Sequence, residues 1–310
     1  MSALICGSLA FDTIMVFEDR FKHHILPDKV HILNVAFLVP KMRREFGGCA
    51  GNIAYNLHLL GGEPIPMGTV GQDFQSYRDH FSALGIRLDQ VRQLDDMFTA
   101  QAFITTDLDA NQITAFHPGA MMQSHLNHVR DVKGVRFGIV APDGRDAMLQ
   151  NAREFKEIGV PFVFDPGQAM PLFNGEEFRT FIEGATYVTV NDYESELLSE
   201  RTGWGPSEIA KRVDAYVVTK GAEGAVIYSS DGETHIPAAT PDRIFDPTGC
   251  GDAFRAGLIY GLMNNMDYAT SGRIGSLCGS IKIAEHGTQN HRFSQAEFAE
   301  RFRVAFGYAY

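Results

Sequence analysis

The sequence predicts an α/β protein, with a mostly parallel central sheet, helices on both of its faces, and a small second β-sheet projecting from it. Three observations carry this reading. From Val135 onward, apolar β-rich runs alternate with stretches at helical spacing, as in a parallel sheet whose crossovers are helices. Before that point, residues 13–18, 30–39, 98–105 and 112–116 read as extended where a plain doubly wound fold would place helices. Finally, a glycine-rich turn at 248–252 runs directly into an apolar helix.

In chain order, residues 3–6 are apolar, end at Gly7 and predict a buried first strand. Gly7, Ser8 and Asp12 follow, a polar cluster where α/β folds place ligand-binding residues. Segments 13–18 and 30–39, rich in Val, Ile, Phe and Leu, predict two strands with a turn at Pro27-Asp28. Residues 47–52 (GGCAGN) lead into a helix with apolar Ile53, Leu57 and Leu60, ended by Gly61-Gly62. A strand at 65–70 precedes GQDF at 71–74. Segments 98–105 and 112–116 flank a polar turn at 107–111 and form a hairpin. An isolated hairpin is marginal, so it is expected to join the two earlier strands in one four-stranded sheet. Strands follow at 136–141, 162–165, 187–191, 216–220 and 226–228, and helices at 148–157, 193–200, 207–213, 251–262 and 275–285. The expected organisation is one domain, 1–310, with the projecting sheet built from 12–46 and 98–118.

Composition narrows the partners. The 310 residues are 45% hydrophobic and 21% charged, with a net charge of −11. That balance disfavours nucleic acid or an anionic membrane as the main partner. Cys6, Cys49, Cys250 and Cys278 form no CxxC pair and read as buried thiols of a reducing compartment. No apolar run is long enough to span a bilayer, and a cytoplasmic location is expected. Neither GxxxxGK[ST] nor a full GxGxxG is present, which removes a Walker loop and a dinucleotide fingerprint.

The chemistry concentrates in DPTGCGDAFRAG, residues 246–257. Gly249 and Gly251 permit positive φ and close approach of a ligand. The first N–H groups of the helix lack internal partners and sit at the positive end of its dipole, which makes an anion site. A carboxylate there, Asp252, makes sense where a neutral hydroxyl lies between it and the anion. Asp252 would take the hydroxyl proton while the N–H groups of Gly249, Cys250 and Gly251 hold a phosphoryl group. The helix end is expected to keep the Asp252 pKa low. On its residues alone, the stretch reads equally as a helix start with an Asp cap and a Gly turn. Asp12, Gly47, Gly48 and Asn52 supply what a polyol needs, a carboxylate and an amide beside backbone without side chains. Taken singly, each also reads as a turn residue or a packing contact.

DPTGCGDAFRAG resembles the C-terminal signature of the ribokinase-like (PfkB-type) sugar and nucleoside kinases, with Cys250 where alanine is usual. FGGCAGNIAYNLHLLGGEPIPMGTVGQDF, residues 46–74, resembles their N-terminal signature. The resemblance implies a ribokinase-like three-layer sandwich with a β-sheet lid. It also implies Asp252 as catalytic base, and a ribose-like ring gripped by Asp12, Gly47, Gly48 and Asn52. Asn191-Asp192-Tyr193-Glu194 is similar to the family's N-x-x-E motif, in which Asn191 and Glu194 organise Mg²⁺ and phosphate through water. The same four residues also read as a capped helix start with acidic first-turn residues. Thr219-Lys220-Gly221 corresponds to a T-x-G that contacts nucleotide phosphate and ribose, with Gly224 close behind. Asp246 and Thr248, with Glu194 beyond them for Mg²⁺, are the implied metal residues. Together with 285–289 (EHGTQ), Asp246 and Thr248 correspond to a monovalent cation site for K⁺. NQITAFHPGAM (111–121), with Gln112 and Phe116, FDPGQ (164–168), with Gln168, and GTQNH (287–291) resemble prokaryotic adenosine and broad nucleoside kinases. An aromatic can stack a base and an amide can read its edge; Phe116 reads equally as sheet packing.

The resemblance therefore implies ATP- and Mg²⁺-dependent phosphorylation of a nucleoside 5′-hydroxyl, with adenosine as the expected acceptor. A ribose or fructose kinase of the same fold and a non-catalytic nucleoside or sugar sensor stand as alternatives. Homodimers formed lid to lid occur in the family.

Overall fold

The structure is a computed structural model that describes residues 2–25, 32 and 34–310. The chain opens with β1 (Ser2–Cys6), β2 (Ala10–Val16) and β3 (Lys41–Gly47), which passes through Gly48 into α1 (Cys49–Leu59). Then come β4 (Glu63–Gly71), α2 (Gln75–Leu84), β5 (Val91–Leu94) and the hairpin β6 (Ala100–Thr106) and β7 (Gln112–His117). The alternating half holds β8 (Phe137–Val140), α3 (Arg145–Ile158), β9 (Phe162–Phe164), α4 (Gly175–Gly184) and β10 (Tyr187–Asn191). It continues through α5 (Asp192–Thr202), α6 (Pro206–Ala210), β11 (Ala215–Thr219), β12 (Ala225–Ser229) and β13 (Gly232–Ile236). Helices α7 (Cys250–Met263), α8 (Tyr268–Lys282) and α9 (Gln295–Phe306) close the chain.

Nine strands form the large sheet in the order β13-β12-β11-β10-β9-β8-β1-β4-β5. It is parallel from β11 to β5, with β12 and β13 added antiparallel at one edge. Alternation along β1 shows why helices cover both faces. Ala3 and Ile5 pack with Ile53 of α1 and Ile259 of α7. Leu4 and Cys6 pack on the other side with Phe155 of α3, Phe181 of α4 and Leu198 of α5. Side chains two apart share a face, so one strand feeds two cores. This is the expected three-layer arrangement, a mixed α/β body with a separate small sheet.

That small sheet has the order β3-β2-β6-β7. The two segments do pair as expected, and the β2–β6 pairing between them is parallel. Its second strand corrects the sequence reading. The strand is Lys41–Gly47, not 30–39. Residues 34–40 form no strand, and the turn at Pro27-Asp28 with 30, 31 and 33 lies outside the described residues. Phe37 instead joins Phe17 and Phe21 in an aromatic cluster with ring centroids 4.8 and 5.0 Å away. The charged run KMRREFG pairs because alternation, not apolarity, suits a sheet open to solvent on one side.

Helix α8 begins at Tyr268, seven residues before the expected start at 275. Gly272 lies inside the helix against Ile236 and Ile227 of the large sheet, and Gly275 lets two helices touch. A Cβ on Gly257 of α7 would meet the Cα of Gly275 at 2.6 Å. Among the described residues, no helix is long and apolar enough to cross a membrane.

Candidate active site

A cleft of about 780 Å³ lies at the carboxyl ends of β9, β10 and β11, where open parallel sheets bind ligands. It gathers Asn191, Glu194, Thr219, Gly221 and Gly224 along one wall. Gly249, Cys250, Gly251 and Asp252 form its end, and Gln168 lines it beside Asp165. Residues separated by more than eighty positions are thus brought to one place, and Gln168 stands among the nucleotide-type residues of the sequence reading.

Gly249 has φ 78 and turns the chain into α7, placing Asp252 in its first turn. Among the described residues, the N–H groups of Gly249, Gly251 and Asp252 have no backbone acceptor, while that of Cys250 reaches Pro247 O at 3.2 Å. Of the three expected donors, Gly249 and Gly251 are thus left without a backbone partner, and Asp252 N joins them; all three residues line the cleft. A Cβ on Gly251 would meet Arg255 Nη1 at 2.6 Å, so a guanidinium lies directly behind the turn.

Asp252 is half-buried, and Asn52 Nδ2 donates to its Oδ2 at 2.8 Å. Its pKa corrects the sequence expectation. Burial raises it above the ordinary carboxylate value, outweighing the Arg255 charge and the donations from Asn52 and Cys49. Desolvation of a single carboxylate exceeds what one helix end returns. Arg255 itself grips Asp165 with both arms: Nη2 donates to Oδ1 at 2.7 Å and Nε pairs with Oδ2. Its guanidinium also lies 4.0 Å from Glu194. Neither Arg255 nor Asp165 was given a role from sequence. The available signal was a charged residue one turn after Asp252 within an otherwise apolar helix.

Asn52 is held in turn. Its Oδ1 accepts from Gln289 Nε2 at 3.0 Å, and the same nitrogen donates to the Tyr77 hydroxyl at 2.6 Å. Tyr77 donates to Gly47 O at 2.9 Å and stands fully buried among Phe11, Phe46 and Phe74. Tyr77 was not legible in advance, because its sequence setting is that of a core aromatic.

Asp12 sits across from this network. A Cβ on Gly47 would meet Asp12 Oδ2 at 2.6 Å, and one on Gly48, which has φ 86, would meet Ser8 O at 2.5 Å. Those glycines make room for the carboxylate and the tight entry into α1. Burial, then the charges of Asp252, Asp246 and Glu45, push the Asp12 pKa up to about 6. Register places Asp12 beside Ala102, and Ala102 beside Phe116. Residues side by side in a sheet share a face, so Phe116 stands on the Asp12 face two strands away, about 10 Å. Its ring is 53% exposed. Gln112 shares that face but lies four residues along β7, about 13 Å from the Phe116 row.

Asn191 and Glu194 form a reciprocal cap. Asn191 Oδ1 accepts from Glu194 N at 2.7 Å, and Glu194 Oε2 accepts from Asn191 N at 2.8 Å. The capped helix start is therefore real; Glu194 Oε1 takes no part in it, and the residue lines the cleft. Among the described residues, no group of three His, Cys, Asp or Glu is arranged to hold a metal ion. One carboxylate oxygen beside a phosphate site suits Mg²⁺, which keeps most of its waters.

The candidate K⁺ residues are arranged differently from the expectation. Asp246 Oδ1 accepts from Thr248 N and Oδ2 from Gly287 N, each at 2.9 Å. The ammonium of Lys282 donates to Asp246 O at 2.7 Å and to Glu285 O at 3.3 Å. A protein cation thus occupies the oxygens that an alkali ion would need, and K⁺ does not fit there.

An open parallel α/β body, a helix mouth with bare N–H groups and a carboxylate beside it define a phosphotransferase that uses an alcohol group as acceptor. Residues 17–294 match the pfkB family of carbohydrate kinases, and the chain belongs to that family. It is 55% identical to a nucleoside kinase of Burkholderia thailandensis solved in complex with inosine, with a TM-score of 0.90 and 99% of each chain covered. The same protein, at 56% identity, was also solved with ADP-inosine, with a TM-score of 0.88 and 99% of this chain and 97% of that one covered. A nucleoside kinase of Methanocaldococcus jannaschii is 30% identical over 275 residues, covering 86% of this chain and 89% of the relative. A ribokinase of Thermotoga maritima shares the fold at 19% identity, with a TM-score of 0.80 and 98% and 99% of the two chains covered.

Proposed function

We infer that this protein transfers the γ-phosphoryl group of ATP to the 5′-hydroxyl of a nucleoside, with a purine nucleoside such as adenosine as acceptor. The observation that carries the reading is the placement of Asp12 and Phe116 on one face of the small sheet, about 10 Å apart. That separation suits a pentose whose hydroxyls meet a carboxylate and whose base meets an aromatic ring. A free sugar has no use for the ring. The inosine complexes of the Burkholderia thailandensis relative support the class and put inosine beside adenosine as a candidate.

In this mechanism Asp252 takes the 5′-hydroxyl proton as the new O–P bond forms and the β–γ bond breaks, releasing ADP. A raised carboxylate pKa suits a base working near neutrality. The N–H groups of Gly249, Gly251 and Asp252 receive the charge on the transferring group. Asn52 fixes the Asp252 oxygen, and Gln289 with Tyr77 fixes Asn52. Thr219, Gly221, Gly224 and Gln168 line the donor side with Asn191. Mg²⁺, arriving with ATP and held through water by Glu194, would neutralise charge on the phosphates. The four-stranded sheet acts as a lid that excludes water as a competing acceptor.

Met42, Phe103 and Ile113 are exposed on the opposite face of the lid, and a second copy of the chain would cover them. Light scattering should then give a dimer that Ile113→Asp dissociates; a monomer at every concentration overturns this. The four cysteines are free thiols, which supports a cytoplasmic setting.

The test is parallel phosphorylation of adenosine, inosine, guanosine, cytidine, ribose and fructose with ATP. A purine nucleoside should have the highest kcat/KM. A preference for free ribose or fructose, or ligand binding without turnover, overturns the reading.

A further inference from the structure

Lys282, the last residue of α8, has a fully buried side chain. Burying an ammonium costs several kcal/mol unless oxygens replace its water shell. Here they do. Two of its three hydrogens go to the carbonyl oxygens of Asp246 and Glu285, and Asp246 Oδ1 lies 3.9 Å away. We propose that this ammonium is a built-in substitute for a monovalent cation, which organises the phosphoryl-binding turn and frees the enzyme from any K⁺ requirement.

The path from ammonium to turn is short. Lys282 pins Asp246, and the Asp246 carboxylate binds Thr248 N on one side and Gly287 N on the other. The turn before α7 is thereby fastened to the 285–289 segment. Thr288 then lies against Gly249, where an added Cβ would meet Thr288 Cγ2 at 2.8 Å. Gly249 opens the row of N–H groups that faces the cleft. A loose cation would have to be recruited to hold this geometry, whereas a tethered one is present in every molecule. Lys282 is thus a positioning residue, acting on the transferring group through Asp246 and Thr248. Its cationic role rests on the phosphotransferase activity, which wild-type turnover checks separately.

The test compares wild type and Lys282→Ala in a K⁺ titration against choline chloride at constant ionic strength. Wild-type kcat should change by less than about twofold across the titration. Lys282→Ala in choline should lose about 100-fold in kcat with little change in nucleoside KM. K⁺, ammonium or methylammonium should restore at least about tenfold of that loss. A wild-type enzyme that K⁺ activates about fivefold or more overturns the proposal. So does a folded Lys282→Ala protein that keeps its turnover in choline, or one that loses it and recovers with none of the three cations. Should the variant not fold, as judged by thermal melting, the wild-type titration alone decides.

Discussion

Replacing Asp252 with Asn isolates the proposed base more cleanly than most catalytic substitutions. Asn52 Nδ2 donates to Asp252 Oδ2 at 2.8 Å, and an amide oxygen in that place accepts the same bond. Arg255 keeps its two-armed grip on Asp165, so no buried cation is orphaned. The N–H groups of Gly249 and Gly251 are untouched, and so is Asp12, the proposed ribose contact. What disappears is the proton acceptor. Losing a positioned base costs about 10²- to 10⁴-fold, which is about 2.7–5.5 kcal/mol of barrier. The loss should appear in kcat, with nucleoside affinity by calorimetry within about threefold of wild type. Stability should hold or rise. Burial raises the Asp252 pKa, so its ionisation near neutral pH opposes folding, and the neutral amide removes that cost. The pH profile adds an independent check. Wild-type kcat should fall on the acid side through a pKa above the ordinary carboxylate value, and that limb should vanish in the variant. The assay is ADP release at saturating nucleoside and ATP. A kcat within tenfold of wild type, or a loss confined to KM, would refute the reasoning.

Asp12→Ala should raise nucleoside KM by about 10- to 100-fold with a smaller effect on ATP, since a paired charged hydrogen bond contributes about 1.5–3 kcal/mol; an unchanged nucleoside KM with weakened ATP binding would exchange the two sites. Because the Asp12 pKa is pushed up to about 6, nucleoside affinity in wild type should weaken as pH drops through that value. The ligand-free protein should respond in the opposite sense. A carboxylate with a raised folded pKa binds protons more tightly when folded, so its contribution to stability grows as pH falls from above 6 toward 3.8. Thermal melting of wild type against Asp12→Asn across that window measures it, and parallel curves would remove the assignment. Gly51→Ala drives a Cβ into the Tyr77 hydroxyl, which its aromatic neighbours prevent from moving. Overpacking with loss of a buried hydrogen bond should cost about 2–4 kcal/mol, seen as a lower melting temperature and a lower kcat through Asn52; a wild-type melt would show that the network yields easily.

Much of the site was legible because its chemistry is local. Gly249, Gly251 and Asp252 leave their backbone N–H groups without backbone acceptors at the start of α7, and the chain order that makes this helix mouth is visible in the residues. Most of the alternating half of the chain was equally plain, since period-two and helical apolar patterns follow directly from strand and helix geometry, but helices Gly175–Gly184 and Gln295–Phe306 and the edge strand Gly232–Ile236 went unread. Local patterning failed where packing partners outweighed propensity. Residues 34–40 are not a strand because Phe37 finds an aromatic cluster, and Gly272 and Gly275 sit inside a helix because the large sheet and α7 respectively approach it closely. The sequence names Asp12, Asn52 and Asp252, but only the folded chain shows Asn52 donating to a carboxylate 200 residues away. The same holds for Gln289 and Tyr77 behind Asn52, for Arg255 on Asp165, and for Lys282 among the carbonyls of Asp246 and Glu285. A buried charge takes its meaning from the oxygens that surround it, and those arrive from distant segments. The residue types named the groups that a phosphoryl transfer would use; the long-range contacts decided how far Asp252 is desolvated and that the Lys282 ammonium stands beneath the turn before α7, because both depend on oxygens and apolar surface brought from distant segments.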